Sequence, residues 1–184
     1  MKYCPHCASL LTIKIPADDS RERYVCEACG SIHYQNPRNV VGSIPIYREQ
    51  VLLCRRAIEP RHGYWTLPAG FMENNETTAE AAARETMEEA GARIEMQPLF
   101  SLLNVPHVHQ VHLFYRARLL DKDFAAGTES LEVKLFTEAQ IPWDEIAFPT
   151  VTHTLKFFFA DLAASRSGKE FGFHSLDILK PMRQ

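Results

Sequence analysis

Gly70-Phe71-Met72-Glu73-Asn74-Asn75-Glu76-Thr77-Thr78-Ala79-Glu80-Ala81-Ala82-Ala83-Arg84-Glu85-Thr86-Met87-Glu88-Glu89-Ala90-Gly91-Ala92 carries six carboxylates against one base, Arg84. The whole 184-residue chain has a formal charge of only −3, so negative charge is concentrated here. The second half of the stretch is written as a helix. Thr77 followed by Glu80 is a capping box, in which each side chain accepts from the other residue's backbone N–H. Ala79, Ala83, Thr86 and Ala90 recur at the helical period and predict a small-residue face that can approach a sheet closely. Gly91 is a stop. Glu85, Glu88 and Glu89 stand at i, i+3 and i+4, so they share the neighbouring face, where like charges repel. Two readings fit. The face is solvated, since Glu is a good helix former. Or a hard divalent cation draws the carboxylates together, as magnesium does while keeping waters and substrate phosphates as its other ligands.

Gly70, five residues, Glu76, seven residues, Arg84-Glu85, two residues, Glu88-Glu89, one residue and Gly91 make a long, specific pattern. It resembles the signature box of the Nudix hydrolases. Thr86 stands where the family has Ile, Leu or Val, and Ala92 is a small version of the last apolar residue. Gly63-Tyr64-Trp65-Thr66-Leu67-Pro68-Ala69-Gly70-Phe71 also resembles the run that precedes the box, with Ala69 in place of a usual Gly. The resemblance implies an α+β fold, an α/β/α sandwich around a mixed sheet, with the box as loop–helix–loop. It implies metal-dependent hydrolysis of a nucleoside diphosphate linked to another moiety. Glu85, Glu88 and Glu89 would hold Mg²⁺ or Mn²⁺, with the Ala69 carbonyl as a backbone ligand. Arg84 would orient the glutamates through charge-assisted hydrogen bonds. Glu132 or Glu89 would take the proton of the attacking water, with Glu129 in reserve. Arg55, Trp65 and Phe71 are expected at the substrate, although Trp65 reads equally as a core tryptophan.

Four of the five cysteines lie in the first 29 residues. Cys4-Pro-His-Cys7 and Cys26-Glu-Ala-Cys29 are two C-x2-C hooks at the spacing of a four-thiolate zinc site. Such a shell is closed, so the zinc is expected to be structural. Fewer than about 40 residues rarely fold without a staple, which makes that metal a folding requirement. Thr12 to Ile15 and Arg23 to Val25 read as strands of a ribbon, and Gln35-Asn36-Pro37 as its boundary. The expected domains are a zinc ribbon over 1–35 and a hydrolase domain over 36–184.

Within the second domain, Val40 to Tyr47 and Val51 to Arg56 predict a hairpin around Arg48-Glu49-Gln50. Cys54 is expected as a small buried side chain. One of Arg55 and Arg56 would reach phosphate, because successive strand residues point oppositely. Val111, Leu113 and Tyr115 alternate with His112, Phe114 and Arg116 as in a strand. His107, His109 and His112 therefore read as a polar strand face or pocket wall rather than a second metal site. Thr150 or Thr152 is expected to cap a last helix through Ala164. Leu155, Phe158, Phe159 and Leu162 would form its buried face, with Phe157 on the surface or in a subunit contact.

A hydrophobic content of 46% and a charged content of 23% fit a globular chain, and the net −3 argues against a general nucleic-acid binder. No apolar run approaches the length of a membrane span, and Met1-Lys2-Tyr3-Cys4 lacks a signal-peptide core, so a cytosolic protein is expected. The ribbon-plus-box arrangement resembles ADP-ribose and FAD pyrophosphatases, which release AMP; the resemblance also implies a homodimer. NADH is ranked lower, because Ser101-Leu102-Leu103-Asn104-Val105-Pro106-His107 stands where NADH pyrophosphatases carry their hallmark run. The alternative is a nucleic-acid-binding ribbon beside an inactive box, with Lys14, Arg21 and Arg23 against Asp18, Asp19 and Glu22.

Overall fold

Side-chain alternation along two strands decides the architecture. On β4 (Arg38–Tyr47), Val41 packs with Ala81 and Ala82 of one helix, whereas Ile44 packs with Val151, Leu155 and Phe158 of another. On β5 (Gln50–Arg56), Leu52 and Cys54 face one side, and Val51 and Leu53 the other. The sheet is therefore buried on both faces, with one helix against each. This computed structural model describes residues 1–179; positions 180–184, the end of the expected second domain, lie outside the described residues.

The chain separates into two compact units, Met1–Pro37 and Arg38–Gln184. In the first, β1 (Thr12–Lys14), β2 (Arg23–Val25) and β3 (Ile32–His33) form an antiparallel ribbon. In the second, β4 and β5 are followed by β6 (Trp65–Thr66), β7 (Ala69–Phe71), α1 (Thr78–Ala90), β8 (Ile94–Val105), β9 (Gln110–Leu119), β10 (Ser130–Phe136), α2 (Pro149–Ser165) and β11 (His174–Asp177). The strand order is β10-β5-β4-β9-β8-β11, with β6 on β5 and β7 on β4. Pairing is antiparallel except for β4 with β9 and β11 with β8, so the sheet is mixed. The result is the expected α/β/α sandwich. Among the described residues no helix is long and apolar enough to cross a membrane.

Local signals account for several boundaries. The β4–β5 hairpin turns through Arg48-Glu49, with Arg48 left-handed at φ 57°. Neither Thr150 nor Thr152 caps α2. The helix begins with Pro149, whose missing N–H needs no partner in the first turn, and Phe148 occupies the cap position. Leu155, Phe158 and Phe159 are buried as expected. Phe157 stacks on His174 of β11 at 4.5 Å, so the last strand covers it. His107 and His109 are not strand residues: they lie in a tight turn between β8 and β9, with His109 left-handed at φ 56°. His112 alone stands on β9, where burial pushes its imidazole down to about 4.

Both helices are stitched to the sheet by a buried hydroxyl pair. Ser43 of β4 meets Thr86 of α1 at 2.6 Å, and Ser101 of β8 meets Thr154 of α2 at 3.0 Å.

Candidate active site

Helix α1 is fixed at both ends. Thr77 and Glu80 form the reciprocal capping box, and Gly91 closes the helix at φ 57°, a left-handed conformation that glycine tolerates. The loop between β9 and β10 then seats on the helix end. The Ala125 N–H donates to the Ala90 carbonyl at 3.0 Å and the Gly127 N–H to the Glu89 carbonyl at 3.0 Å. These satisfy carbonyls that a helix end otherwise leaves orphaned. A Cβ on Gly127 would fall 1.8 Å from the Glu88 carbonyl oxygen, so only glycine allows this seat.

The buried face of α1 is rotated from the expected one. Ala81, Ala82, Thr86, Glu89 and Ala90 are buried, whereas Ala79 and Ala83 are only half-buried. The shift turns Glu89 inward, to 7% exposure, where its carboxylate accepts from the Ala69 N–H at 3.2 Å. Burial pushes the Glu89 carboxyl up to about 8, with Glu85 and Glu129 adding to the rise; the Ala69 N–H and Arg56 oppose it. Burial also raises Glu85, and outweighs the pull of Arg84. The Glu85 carboxylate lies against the backbone of Gly70, where a Cβ would come within 2.3 Å of it.

Arg84 joins the parts. Its Nε and Nη2 donate to Glu76 at 3.0 and 2.9 Å, and Nη2 also reaches the Phe71 carbonyl at 3.3 Å. Nη1 is shared between Glu85 at 2.9 Å and Glu88 at 3.1 Å. This paired geometry holds Glu76 down to about 2 and raises Arg84 further. The donor set fits a hard divalent cation: three oxygen ligands, two of them partly or largely buried, beside a glycine that leaves room. The three carboxylates are not drawn within 4.8 Å of one another, since Glu85 and Glu88 turn to Arg84 and Glu89 to Ala69.

The other expected site residues divide. Phe71 is 45% exposed, with the Arg38 guanidinium 4.6 Å from its ring centre. Trp65 belongs to the core: it is 6% exposed and meets Phe136 edge-on at 4.9 Å, so it does not offer its ring to a substrate. Arg55 donates to the Gly63 carbonyl at 2.9 Å and lies 4.0 Å from Glu132 across the β5–β10 pair. Arg56, on the opposite face, acts on Glu89, and Glu129 acts on both glutamates. A register shift between Ser130 and Glu132 separates the two candidate acids. Glu129 stands before this shift and bears on Glu85 and Glu89, while Glu132 stands after it and faces Arg55. Arg38 carries no local sequence signal for its place; Arg56 is one of the two arginines at the end of β5 that strand alternation sets on opposite faces.

In the first unit, Cys4, Cys7, Cys26 and Cys29 place their sulfurs within 4.8 Å of one another. Cys7 and Cys26 are 3.4 Å apart, Cys4 and Cys29 3.7 Å. The two hooks share one backbone turn: Ala8 N–H to the Cys4 carbonyl and Gly30 N–H to the Cys26 carbonyl, both 2.8 Å. Hydrogen bonds from Ser31 lower Cys29 to about 6, which favours the thiolate a metal needs. His33 Nε2 lies 3.3 Å from Cys4 Sγ. Lys14 and Arg23 are engaged with Glu27 and Asp19, which offsets much of the ribbon's basic character.

A mixed sheet between two helices, with a carboxylate cluster built on one of them, defines an α/β/α sandwich with a candidate cation site. The Nudix domain model matches residues 36–155 and the Nudix N-terminal zinc-ribbon model residues 2–35, and the chain belongs to the Nudix hydrolases. A NUDIX hydrolase from Nitrosomonas europaea superposes with a TM-score of 0.92 at 49% identity, covering 98% of this chain and all of that one. An ADP-ribose pyrophosphatase of Methanocaldococcus jannaschii is 27% identical over 113 residues, 59% of this chain and 67% of that protein. An NAD-capped RNA hydrolase of Chromobacterium violaceum is 33% identical over 95 residues, 51% of this chain but only 34% of that protein.

Proposed function

We propose that this chain hydrolyses the diphosphate linkage of a nucleoside diphosphate derivative, ADP-ribose or FAD, and releases AMP. The observation that carries the reading is the crowding of carboxyl groups around Glu89, which is 7% exposed and accepts from the Ala69 N–H. A cation there relieves the repulsion that burial intensifies. Glu85, Glu88 and Glu89 are the residues to hold Mg²⁺ or Mn²⁺, with the Ala69 carbonyl beside them. When bound, the ion would withdraw charge from the diphosphate and acidify a water.

The remaining work falls to the chain's own groups. Diphosphate cleavage is mostly positioning and charge stabilisation. Arg84 keeps Glu85 and Glu88 oriented by sharing one guanidinium nitrogen between them. Arg56 supplies positive charge on the Glu89 side and would be the arginine that meets a phosphate. Glu129 is the leading acceptor for the water's proton, with Glu89 the alternative. Zinc held by Cys4, Cys7, Cys26 and Cys29 would be structural, since four thiolates close its shell.

The test is AMP release from ADP-ribose and FAD by wild-type protein and by Glu89→Gln. Loss of about 10²-fold or more is expected, and unchanged rates would overturn the reading. The names of the NAD-capped RNA hydrolases support a second substrate class, NADH or an NAD-capped RNA end. Offering NADH and a capped RNA in the same assay decides between them.

A further inference from the structure

Beside the carboxylate cluster lies an open cleft of about 330 Å³, separated from it by Arg84. Its walls are Arg38 and Asn39 from the start of β4, Phe71 at the end of β7, and residues 72–76 of the loop that follows. The cleft is already formed. The Met72 N–H donates to the Asn39 carbonyl at 3.1 Å, and the Glu73 N–H to Glu76 at 2.6 Å. The same Glu76 holds Arg84, and Arg84 reaches Glu85 and Glu88. A diphosphate at those carboxylates would have its distal group within reach of Phe71.

The lining is not apolar. It offers an exposed aromatic ring capped by a guanidinium, amide groups that both donate and accept, and two carboxylates, Glu73 and Glu76. An aromatic face takes the C–H side of a sugar, while Asn, Glu and Arg match alternating hydroxyls. The volume is at the low end of the roughly 300–1,000 Å³ typical of ligand pockets. That suits one small ring better than a fused ring system.

We infer that this cleft binds the distal sugar of a nucleoside diphosphate sugar, and so selects ADP-ribose over FAD. The inference rests on the diphosphatase reading and names its substrate class. Arg38 donates to the sugar hydroxyls while stacked on Phe71. Asn74 and Asn75 bracket the ring from the loop.

The experiment measures kcat/KM for AMP release from ADP-ribose, FAD and ADP, which lacks the distal sugar. Wild-type protein is compared with Arg38→Ala and Asn74→Ala, both surface substitutions, with circular dichroism as the folding check. Wild type is expected to prefer ADP-ribose. Arg38→Ala should lower the ratio of ADP-ribose to ADP about tenfold, the scale of a guanidinium–ring contact with its hydrogen bonds. Asn74→Ala should lower it severalfold. A wild-type ratio in both variants, or a wild-type preference for FAD, overturns the cleft assignment and leaves the diphosphatase reading standing. No AMP from any of the three removes both.

Discussion

Thr86 shows how one residue can depart from a family pattern without loss. Its hydroxyl donates to the Ala82 carbonyl at 2.7 Å, so the proton in the 2.6 Å pair with Ser43 comes from Ser43. The two positions are therefore unequal. Thr86→Val leaves the Ser43 hydroxyl buried without an acceptor, at a cost of about 1–3 kcal/mol. Ser43→Ala leaves Thr86 still donating and should cost less. The double change, Ser43→Ala with Thr86→Val, should recover most of the loss, and urea unfolding of the three variants would show it. Glu76 gives a pH signature. Arg84 holds it at about 2, below its usual 4.5. A lowered carboxyl stabilises the fold fully above the unfolded value and loses that contribution as pH falls towards the folded one. Thermal stability should decline between about 4.5 and about 2, and Glu76→Gln should flatten that decline. An identical decline in the variant would place the titrating group elsewhere.

The elements show which features are legible in a sequence. The ends of α1 are local: Thr77, Glu80 and Gly91 each act within a few residues, and the helix was readable from them. Its buried face was not. Ala79, Ala81, Ala82 and Ala83 are equally small, so composition cannot rank the faces. The register is set instead by non-local bonds, from Thr86 to Ser43 and from Glu89 to Ala69. Strand alternation separates Arg55 from Arg56, but which of them faces α1 depends on pairing with β10. The shift at Ser130 hides Glu129 in the same way. Trp65 reads as core only once Phe136, far along the chain, lies against it. The seat on the end of α1 gives an element-scale prediction. Gly127→Ala drives a methyl into the Glu88 carbonyl. It should destabilise the unit by about 1–3 kcal/mol and depress activity as well, through Glu129. Calorimetry and AMP release would both register it; a change in neither would show that the loop yields freely.

For the whole molecule, the ribbon's core is small and its cysteines are the organising feature. Cys4 and Cys26 are buried, while Tyr3, Leu10, Ile13, Ile15 and Tyr34 are more than half exposed. So little buried apolar surface cannot offset the entropy of ordering Met1–Pro37. Chelating zinc, or replacing Cys26 with Ser, should therefore collapse the dispersion of the ribbon's amide signals in an NMR spectrum. Retained dispersion after complete zinc removal would contradict this. The hooks and the box were legible because each is written in spacing; the sandwich was implied by the resemblance that the box carries. The cleft at Arg38 was not, because its two walls come from segments some thirty residues apart.

The seat of Ala125 and Gly127 on α1 also ties two properties to one joint. The segment that clamps the last turn of the helix is the segment that delivers Glu129. Sequence drift between β9 and β10 would thus retune the charge felt at Glu85 and Glu89 while the signature box stays untouched. Two relatives with identical boxes could differ in rate through this connection alone.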